Sequence, residues 1–258
     1  MAIFGKLKNI LRGNRMKFFV FSDNHGSLGQ IVEQRHLVGC GGPDCALIIL
    51  GDGGFNYSGN SYDDRIKNTL NSLGFKVYCV RGNHEMRPEH LSHIHKVYDG
   101  DVDGPVYMED HFQNIRNFTG NDYYWINGLK TIVLNGAYSI DKEYRIMMDY
   151  RWFADEQMTD EEKENAEDLF AGDCDLVLSH TCPVQFQPRD LFLDFIDQSA
   201  VDNSMELWMG EMANKYNWKY WLFGHYHQDR KITDGVYMMH HTMRPLDEIL
   251  MLAGKHDG

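Results

Sequence analysis

The sequence predicts an α/β fold of two packed sheets with helices outside, and three observations support this prediction. Short apolar runs bounded by Gly and polar residues are typical of buried strands. Stretches with helical spacing separate the first of these runs, which is the alternation expected of a layered sheet protein. Later strand-like runs with hairpin turn signals predict a second sheet, and 258 residues suffice for one domain of this kind.

Five of the predicted strands end next to residues that can bind metal ions. These strands comprise residues 18–22, 46–50, 77–80, 176–179 and 220–223. The segments at their ends supply seven oxygen and nitrogen donors: Asp23, His25, Asp52, Asn83, His180, His225 and His227. Because ligands of open α/β sheets bind beyond the carboxyl ends of the strands, we expect these donors to meet in one place. Imidazole and carboxylate together suit Mn, Fe or Zn better than Mg or Ca, so the sequence predicts two divalent transition-metal ions.

Helices and further strands account for much of the remaining chain. Helices are predicted over residues 27–38 and 63–73, and a capping box at Thr159-Asp160-Glu161-Glu162 opens an acidic helix through Phe170. Strands of the second sheet are predicted over residues 123–126, 131–134 and 236–240, with hairpin turns at Asn127-Gly128 and Asp234-Gly235.

The strand-end segments resemble, in order, the motifs of the calcineurin-like metallophosphoesterase superfamily. The matching blocks are Asp23-Asn24-His25, Gly51-Asp52, Gly82-Asn83-His84-Glu85, His180 and Gly224-His225-Tyr226-His227. One block alone is weak, whereas the ordered set is specific and covers most of the chain. The resemblance implies a four-layer α/β/β/α sandwich of two mixed sheets flanked by helices, with the metal site at the strand carboxyl ends.

The resemblance also implies how the donors are shared. One ion would be held by Asp23, His25, Asp52 and His227, and the other by Asp52, Asn83, His180 and His225, so that Asp52 bridges. Two ions about 3.5–4 Å apart can hold attacking and leaving oxygens in line. The implied reaction is hydrolysis of a phosphodiester or phosphomonoester by a metal-bridging hydroxide, with His84 as general acid and Arg81 gripping the phosphate.

One departure from the family bears on the substrate. Protein serine/threonine phosphatases continue the Gly-Asp block with an Asp and an Arg, but this chain reads Gly51-Asp52-Gly53-Gly54-Phe55-Asn56. The carboxylate that would orient His84 and the second phosphate-binding arginine are therefore missing. A small phosphoester, with a slight preference for a diester, is the leading hypothesis. A phosphoprotein phosphatase is the alternative, and a non-catalytic scaffold of the same fold is less favoured.

Several other segments carry expectations about the site. Residues 135–145 leave a predicted strand through Gly136 and should rim the crevice, so Lys142 and Arg145, together with Arg151 just beyond, are candidates to hold the phosphate or the leaving group. Surface salt bridges are the competing interpretation. The histidine-rich segment 89–95 is interpreted as a lid or solvated helix rather than a third metal site. His240 and His241 are interpreted as core residues or as supports of the ligands.

Composition excludes some classes of partner. The formal net charge of −13 disfavours extended nucleic-acid binding and thus a DNA-end nuclease. No apolar stretch approaches the roughly 20 residues that cross a bilayer. Five cysteines are an odd number in a chain without a recognisable leader, which predicts a reduced, cytoplasmic location. The expected partner is a small phosphoester.

We expect a basic N-terminal extension at residues 1–15 and a single domain at residues 16–258. The extension has apolar residues at helical spacing, and a short helix or tail packed on the domain is favoured over a membrane-seeking helix. Residues 182–215 form a candidate cap over the site, with helical core packing as the alternative.

Overall fold

The computed structural model describes residues 16–254, and they form two mixed sheets with helices on the outer faces. The predicted basic extension at residues 1–15 lies outside the described residues. The helices are α1 (Leu28–Leu37), α2 (Ser61–Asn71), α3 (Lys142–Met147), α4 (Asp160–Ala171), α5 (Ser204–Lys215) and α6 (Leu246–Ala253). Single 3₁₀ turns cover Pro88–His90, Val184–Phe186, Arg189–Leu191 and Gln198–Ala200.

The first sheet has seven strands in the order β13-β1-β2-β3-β6-β5-β4. Their bounds are β1 (Lys17–Phe21), β2 (Cys45–Leu50), β3 (Lys76–Val80), β4 (Ile94–Asp99), β5 (Gly104–Glu109), β6 (Ile115–Phe118) and β13 (Arg244–Pro245). Strands β1, β2, β3 and β6 run parallel, while β13, β5 and β4 pair antiparallel to their neighbours. The parallel central strands therefore all point their carboxyl ends to the same edge of the sheet.

The second sheet has six strands in the order β11-β12-β10-β9-β8-β7. Their bounds are β7 (Tyr124–Ile126), β8 (Leu129–Leu134), β9 (Leu176–Ser179), β10 (Tyr220–Phe223), β11 (Arg230–Thr233) and β12 (Val236–Met238). Strands β8, β9, β10 and β12 are parallel, and the two edge strands are antiparallel.

Alternation along the strands produces the four layers. Successive side chains of a strand point to opposite faces, so Phe18 and Val20 lie in the core between the sheets while Phe19 and Phe21 pack toward α1 and α2. In the second sheet Trp221 and Phe223 pack outward, in the cluster that includes buried residues of α4 and α5. The predicted α/β/β/α sandwich is thereby confirmed.

Local sequence signals operate as expected. The Thr159 hydroxyl accepts the Glu162 amide and the Glu162 carboxylate accepts the Thr159 amide, so the predicted capping box opens α4. Asn127 and Gly128 have φ values of 53° and 79°, the left-handed pair that a two-residue type I′ hairpin turn needs. They join β7 to β8, as predicted.

The histidine-rich segment differs from its predicted structure. It forms no lid helix within the described chain; a 3₁₀ turn at Pro88–His90 is followed by β4, which pairs with β5 over six residues. Strand β4 lies at the sheet edge, and its His95, Lys96 and Tyr98 side chains are exposed. An edge strand tolerates such polar composition, so the apolar alternation that identifies inner strands is absent from its sequence.

Residues 182–215 contain three of the 3₁₀ turns followed by α5. Met205, Met209 and Met212 of α5 are buried in the outer core, whereas Phe195, before the helix, is 81% exposed. A cap function for this segment stays a prediction. In residues 16–254, no helix combines the length and apolar character required to cross a membrane.

Candidate metal centre

Three of the predicted donors form a group at the ends of β1 and β10. The Oδ1 atom of Asp23 lies 3.6 Å from Nε2 of His227. Nε2 of His227 lies 3.3 Å from Nε2 of His25. One ligand atom from each of these residues falls within 4.8 Å of the others, which is compact enough for a single ion to contact all three.

A second group surrounds Asp52 at the end of β2. Nε2 of His180 lies 3.5 Å from Oδ2 of Asp52 and 3.0 Å from Oδ1 of Asn83. The ring centroids of His180 and His225 are 4.9 Å apart. Oδ2 of Asp52 is also 4.0 Å from Nε2 of His25, so this one oxygen lies between the two groups. All seven predicted donors therefore meet in one cleft.

The backbone at these strand ends adopts an uncommon conformation. Ten non-glycine residues of the described chain have positive φ, and five of them are predicted donors: Asp23, His25, Asp52, His225 and His227. Asp and His tolerate the left-handed region better than most residues, but each such residue still costs of order 1–3 kcal/mol. Contacts with the surrounding fold must stabilise these unfavourable backbone conformations, and residues held in this way concentrate at functional sites.

Hydrogen bonds orient the predicted ligand atoms. Nδ1 of His180 donates to the Leu50 carbonyl at 2.7 Å, so Nε2 is the ring nitrogen that faces Asp52 and Asn83. Asp23 accepts the His225 amide at 3.0 Å, and Oδ1 of Asp52 accepts the His84 amide at 2.9 Å. Oδ2 of Asp52 is therefore left for a cation while its Oδ1 is anchored to the loop after β3, whereas both oxygens of Asp23 accept the His225 amide, Oδ1 at the longer distance of 3.2 Å.

Two further features bring the donor loops close together. The buried Glu85 carboxylate accepts the amides of Gly53 and Gly82 at 2.9 and 3.0 Å, and it thereby ties the loop after β2 to the loop after β3. A Cβ atom at Gly82 would collide with the Asp52 carboxylate, so only glycine permits this approach. Burial, followed by the charge of Asp52, raises the pKa of Glu85 to about 7.

The imidazoles of the cleft favour their neutral forms. Burial lowers the pKa of His25, His84 and His225, and burial together with the charge of His25 lowers that of His227 to about 4. Neutral imidazoles have the free lone pairs that metal ions need.

His180 behaves differently from the other imidazoles. Burial alone would lower its pKa, but the attraction and hydrogen bond of Asp52 raise it to about 9. Burial alone would raise the pKa of Asp52, yet His180, His84 and His25 hold it well below its usual range. Burial raises the pKa of Asp23 to about 7. The residues present thus fit divalent cations, which would replace the proton shared between Asp52 and His180.

His84 lies beside the donor groups with its Nε2 atom 3.8 Å from Oδ2 of Asp52. The same nitrogen is 3.3 Å from Nη2 of Arg145, whose Nε donates to Asp141 at 2.8 Å. Arg145 therefore reaches the site from α3, as the loop position predicts. The Nζ atom of Lys142 instead lies over the Trp152 ring, 4.5 Å from its centroid.

Arg81 occupies a more buried position than Arg145. The residue is 4% exposed, and its Nη1 donates to the Glu156 carbonyl at 2.7 Å. Burial lowers the pKa of Arg81 to about 10. Little of its guanidinium is open to a ligand, and its contact with phosphate stays a prediction.

Sequence reasoning did not single out two buried residues that contact the site, Ser139 and Glu156. Asn83 donates to the Ser139 hydroxyl, and Ser139 donates to Glu156. Ser139 lies in the loop predicted to rim the crevice, which is the only sequence signal pointing to it. His240 stacks on His227 with ring centroids 4.7 Å apart and planes 6° apart, so it supports a predicted ligand.

Comparison with known proteins gives one family match. The profile described as Calcineurin-like phosphoesterase matches residues 16–229. Curated proteins include no match to this chain. A similar solved structure is Phosphopantetheinyl Hydrolase (PptH) from Mycobacterium tuberculosis, with 19% identity and a TM-score of 0.47 over 88% of this chain and 89% of that chain. Another is the protein of unknown function AQ665 from Aquifex aeolicus, with 14% identity and a TM-score of 0.39 over 92% and 98% of the two chains.

Proposed function

Because this chain belongs to the calcineurin-like phosphoesterase family and is therefore a metal-dependent phosphoric ester hydrolase, we propose that it cleaves a small phosphodiester or phosphomonoester with two metal ions. The position of Asp52 carries the proposal of two ions. Its Oδ2 atom lies 3.5 Å from Nε2 of His180 and 4.0 Å from Nε2 of His25, each in a different donor group. A carboxylate oxygen between two donor groups suits a bridging ligand.

The donor set determines which ions it would hold and with what net charge. Asp23, His25, Asp52 and His227 would bind one ion, and Asp52, Asn83, His180 and His225 the other. Mixed imidazole and oxygen donors suit Mn, Fe or Zn. Two dications with two carboxylates leave about two positive charges, which favours binding of a phosphate group. When bound, such ions provide a nucleophile from water near neutral pH and neutralise charge on the phosphoryl oxygens.

His84 is the proposed general acid. Its Nε2 atom faces the cleft beside Asp52 and Arg145, within reach of an oxygen that Arg145 also contacts. In its protonated form, Nε2 would donate a proton to the oxygen of the departing alcohol as the phosphorus–oxygen bond breaks. General acid catalysis of this kind contributes typically 10²–10⁴-fold.

Two arginines are candidates to contact the phosphoryl group. Arg145 is favoured because Asp141 accepts its Nε and the Arg151 carbonyl accepts its Nη1, which together hold the guanidinium with Nη2 next to His84. A planar guanidinium can bind two phosphate oxygens at once. Arg81 is the second candidate and would have to act from its buried position. Lys142 is a more distant candidate for the leaving group.

The substrate is proposed to be a small molecule, with a slight preference for a diester. A serine/threonine phosphoprotein phosphatase is the alternative, since the segment Arg81 to Glu85 resembles those enzymes while the loop after Asp52 does not. A non-catalytic scaffold is less favoured because all seven donors and His84 are present. The predicted cytoplasmic location stays a prediction.

Metal analysis and a substrate panel on one preparation test the proposal. We expect two equivalents of transition metal, with hydrolysis of bis(p-nitrophenyl) phosphate faster than release of phosphate from a phosphopeptide. Chelation should abolish the activity and Mn²⁺ should restore it. Asp52→Asn should lose metal and activity, whereas Asp64→Asn, the same change at an exposed position on α2, should lose neither.

Several outcomes of this experiment would contradict parts of the proposal. Faster release of phosphate from the phosphopeptide would favour the phosphatase alternative. A purified protein that neither contains nor takes up metal would favour the scaffold. A single bound equivalent in the wild-type protein would contradict the bridging role of Asp52.

A further inference from the structure

We propose that Ser139 and Glu156 are positioning residues that set which end of the Asn83 amide faces the metal ion. The inference rests on the proposed role of Asn83 as a ligand. Three buried side chains form a row: Nδ2 of Asn83 donates to Oγ of Ser139 at 2.8 Å, and Oγ of Ser139 donates to Oε2 of Glu156 at 2.6 Å. Their exposed fractions are 2%, 1% and 2%. Solvent therefore has little access to compete for these bonds.

Glu156 is held in place at both carboxylate oxygens and at its backbone. Oε1 accepts the Ser139 amide at 2.8 Å while Oε2 accepts the Ser139 hydroxyl. The Glu156 carbonyl accepts Nη1 of Arg81 at 2.7 Å. The carboxylate is thus clamped on Ser139 from two directions and has little freedom to rotate away.

The chemistry of the row determines its direction. Both oxygens of Glu156 accept from Ser139, one from its amide and one from its hydroxyl, so the single hydroxyl proton of Ser139 is committed to Glu156. Oγ of Ser139 then has only lone pairs left for Asn83 and must face the NH₂ end of that amide. The carbonyl end, Oδ1, is left facing Nε2 of His180 at 3.0 Å. Oδ1 is the atom of the amide that can bind a cation, because the NH₂ nitrogen has no available lone pair.

The same orientation also affects the proposed acid. Nδ2 of Asn83 lies 3.2 Å from Nε2 of His84, so its second hydrogen is available to that nitrogen. Reversal of the amide would turn the NH₂ group toward His180 and the carbonyl oxygen toward His84. The hydrogen bonds from Glu156 through Ser139 therefore favour the amide orientation in which Oδ1 of Asn83 faces His180 and Nδ2 faces His84.

Glu156→Gln tests whether Glu156 sets the donor–acceptor direction of the hydrogen bonds from Asn83 through Ser139, because a Gln side chain can keep both bonds but reverse their direction. If the Gln carbonyl accepts the Ser139 amide, its NH₂ group must face Oγ of Ser139, and the hydroxyl proton is released toward Asn83. Size and hydrogen-bond count are retained, so a merely structural role predicts little change. The positioning role instead predicts weaker metal binding. Loss of residues that support metal ligands typically reduces affinity 10–100-fold.

The experiment is calorimetric titration of the metal-free protein with Mn²⁺, which resolves two binding steps. We expect Glu156→Gln and Ser139→Ala to weaken one step roughly 10–100-fold and to leave the step assigned to Asp23, His25 and His227 nearly unchanged. Ser139→Thr keeps the hydroxyl and should bind more tightly at that step than Ser139→Ala. Thr131→Val removes a buried hydroxyl at the far end of β8 and should change neither step.

Asn83→Ala separates failure of this inference from failure of the proposed ligand set. If Asn83→Ala weakens one step but Glu156→Gln does not, the positioning role is wrong and the ligand role of Asn83 stands. If Asn83→Ala changes neither step, the proposed ligand set itself is wrong. Thermal melting of each metal-free variant is the folding check. Should Ser139→Ala unfold, the comparison of Glu156→Gln with wild type still decides.

Discussion

Nη2 of Arg145 lies 3.3 Å from Nε2 of His84, and the Asp141 carboxylate holds the same guanidinium at 2.8 Å. The acid-orienting carboxylate expected from protein phosphatases is missing from the loop after Asp52. An Arg–Asp pair at the start of α3, with Asp141 just before the helix and Arg145 within it, instead lies next to His84. This pair brings a cationic group to the atom that we propose to donate the proton.

The first prediction concerns His84, the proposed general acid. His84→Ala should keep its bound metal, because His84 is not among the proposed ligands. Turnover of an alkyl phosphoester should fall by roughly 10²–10⁴. A p-nitrophenyl ester should lose less, since its leaving group needs less protonation. Metal content and steady-state rates on the two esters are the measurements, and unchanged rates on both esters would rule out the role.

The second prediction concerns Arg145. Arg145→Ala should lower kcat/KM by roughly 10- to 100-fold, the effect of losing one charged hydrogen bond of about 1.5–3 kcal/mol. Its melting temperature should change little, because α3 has no buried residue. Arg65→Ala is the matched control: it removes an exposed arginine of α2 that lies over the Tyr62 ring.

Arg81→Ala is the variant to compare with Arg145→Ala, because both arginines are candidates to contact the phosphoryl group. Because the Arg81 guanidinium is buried and bonded to the Glu156 carbonyl, its removal should mainly lower the melting temperature. The reverse pattern, with activity lost from Arg81→Ala at unchanged stability and kept in Arg145→Ala, would identify Arg81 as the phosphoryl contact.

Metal binding should depend on pH, which is the third prediction. In the metal-free protein the pKa of His180 is raised to about 9 and that of Asp23 to about 7, so both hold protons that a metal ion must displace. Apparent affinity for Mn²⁺ should therefore rise with pH, by up to about tenfold per unit below pH 9 for the His180 proton and by up to about a further tenfold per unit below pH 7 for the Asp23 proton. Calorimetry in buffers of different ionisation enthalpy counts those protons. Affinity that stays constant from pH 6.5 to 8.5 would contradict the prediction.

The fourth prediction is that ionisation of the Glu206 carboxyl destabilises the metal-free protein. Burial raises the pKa of this carboxyl to about 7, and the Thr181 hydroxyl donates to it at 2.7 Å. Between pH 4.5, the usual pKa of a glutamate, and about pH 7, the folded state therefore holds a proton at Glu206 that the unfolded chain has released. The free energy of unfolding must then fall as the pH rises through this range. The decrease is complete above about pH 7 and amounts to something on the order of 3 kcal/mol.

Glu206→Gln mimics the protonated carboxyl and should remove that loss. The variant should gain stability over wild type at pH 8 and much less at pH 5, as measured by urea unfolding of the metal-free proteins. Glu164→Gln, the same substitution at an exposed position of α4, controls for the change itself. An equal effect of Glu206→Gln at both pH values would show that ionisation of Glu206 does not limit stability.

Local sequence patterns correctly predicted those elements whose structure depends mainly on residues that are close along the chain. The apolar run at Ala46 to Leu50 became β2 because all its residues are buried on both faces of a sheet. The capping box at Thr159 and the turn at Asn127-Gly128 formed as predicted because their hydrogen bonds and φ angles are local. The sequence failed at β4, where an edge strand carries exposed polar side chains that lack a strand pattern.

The sequence by itself determined β1, β2, β3, β9 and β10 and the position of the seven predicted donors beyond these strands, because parallel strands deliver the residues at their carboxyl ends to one edge. Only the tertiary structure decided which residues support the site. Glu156 reaches Ser139 and Asn83 from a segment without a motif, and Arg145 rather than Arg81 lies beside His84. Such contacts depend on how separate loops pack against each other, and no periodicity along the chain encodes that packing.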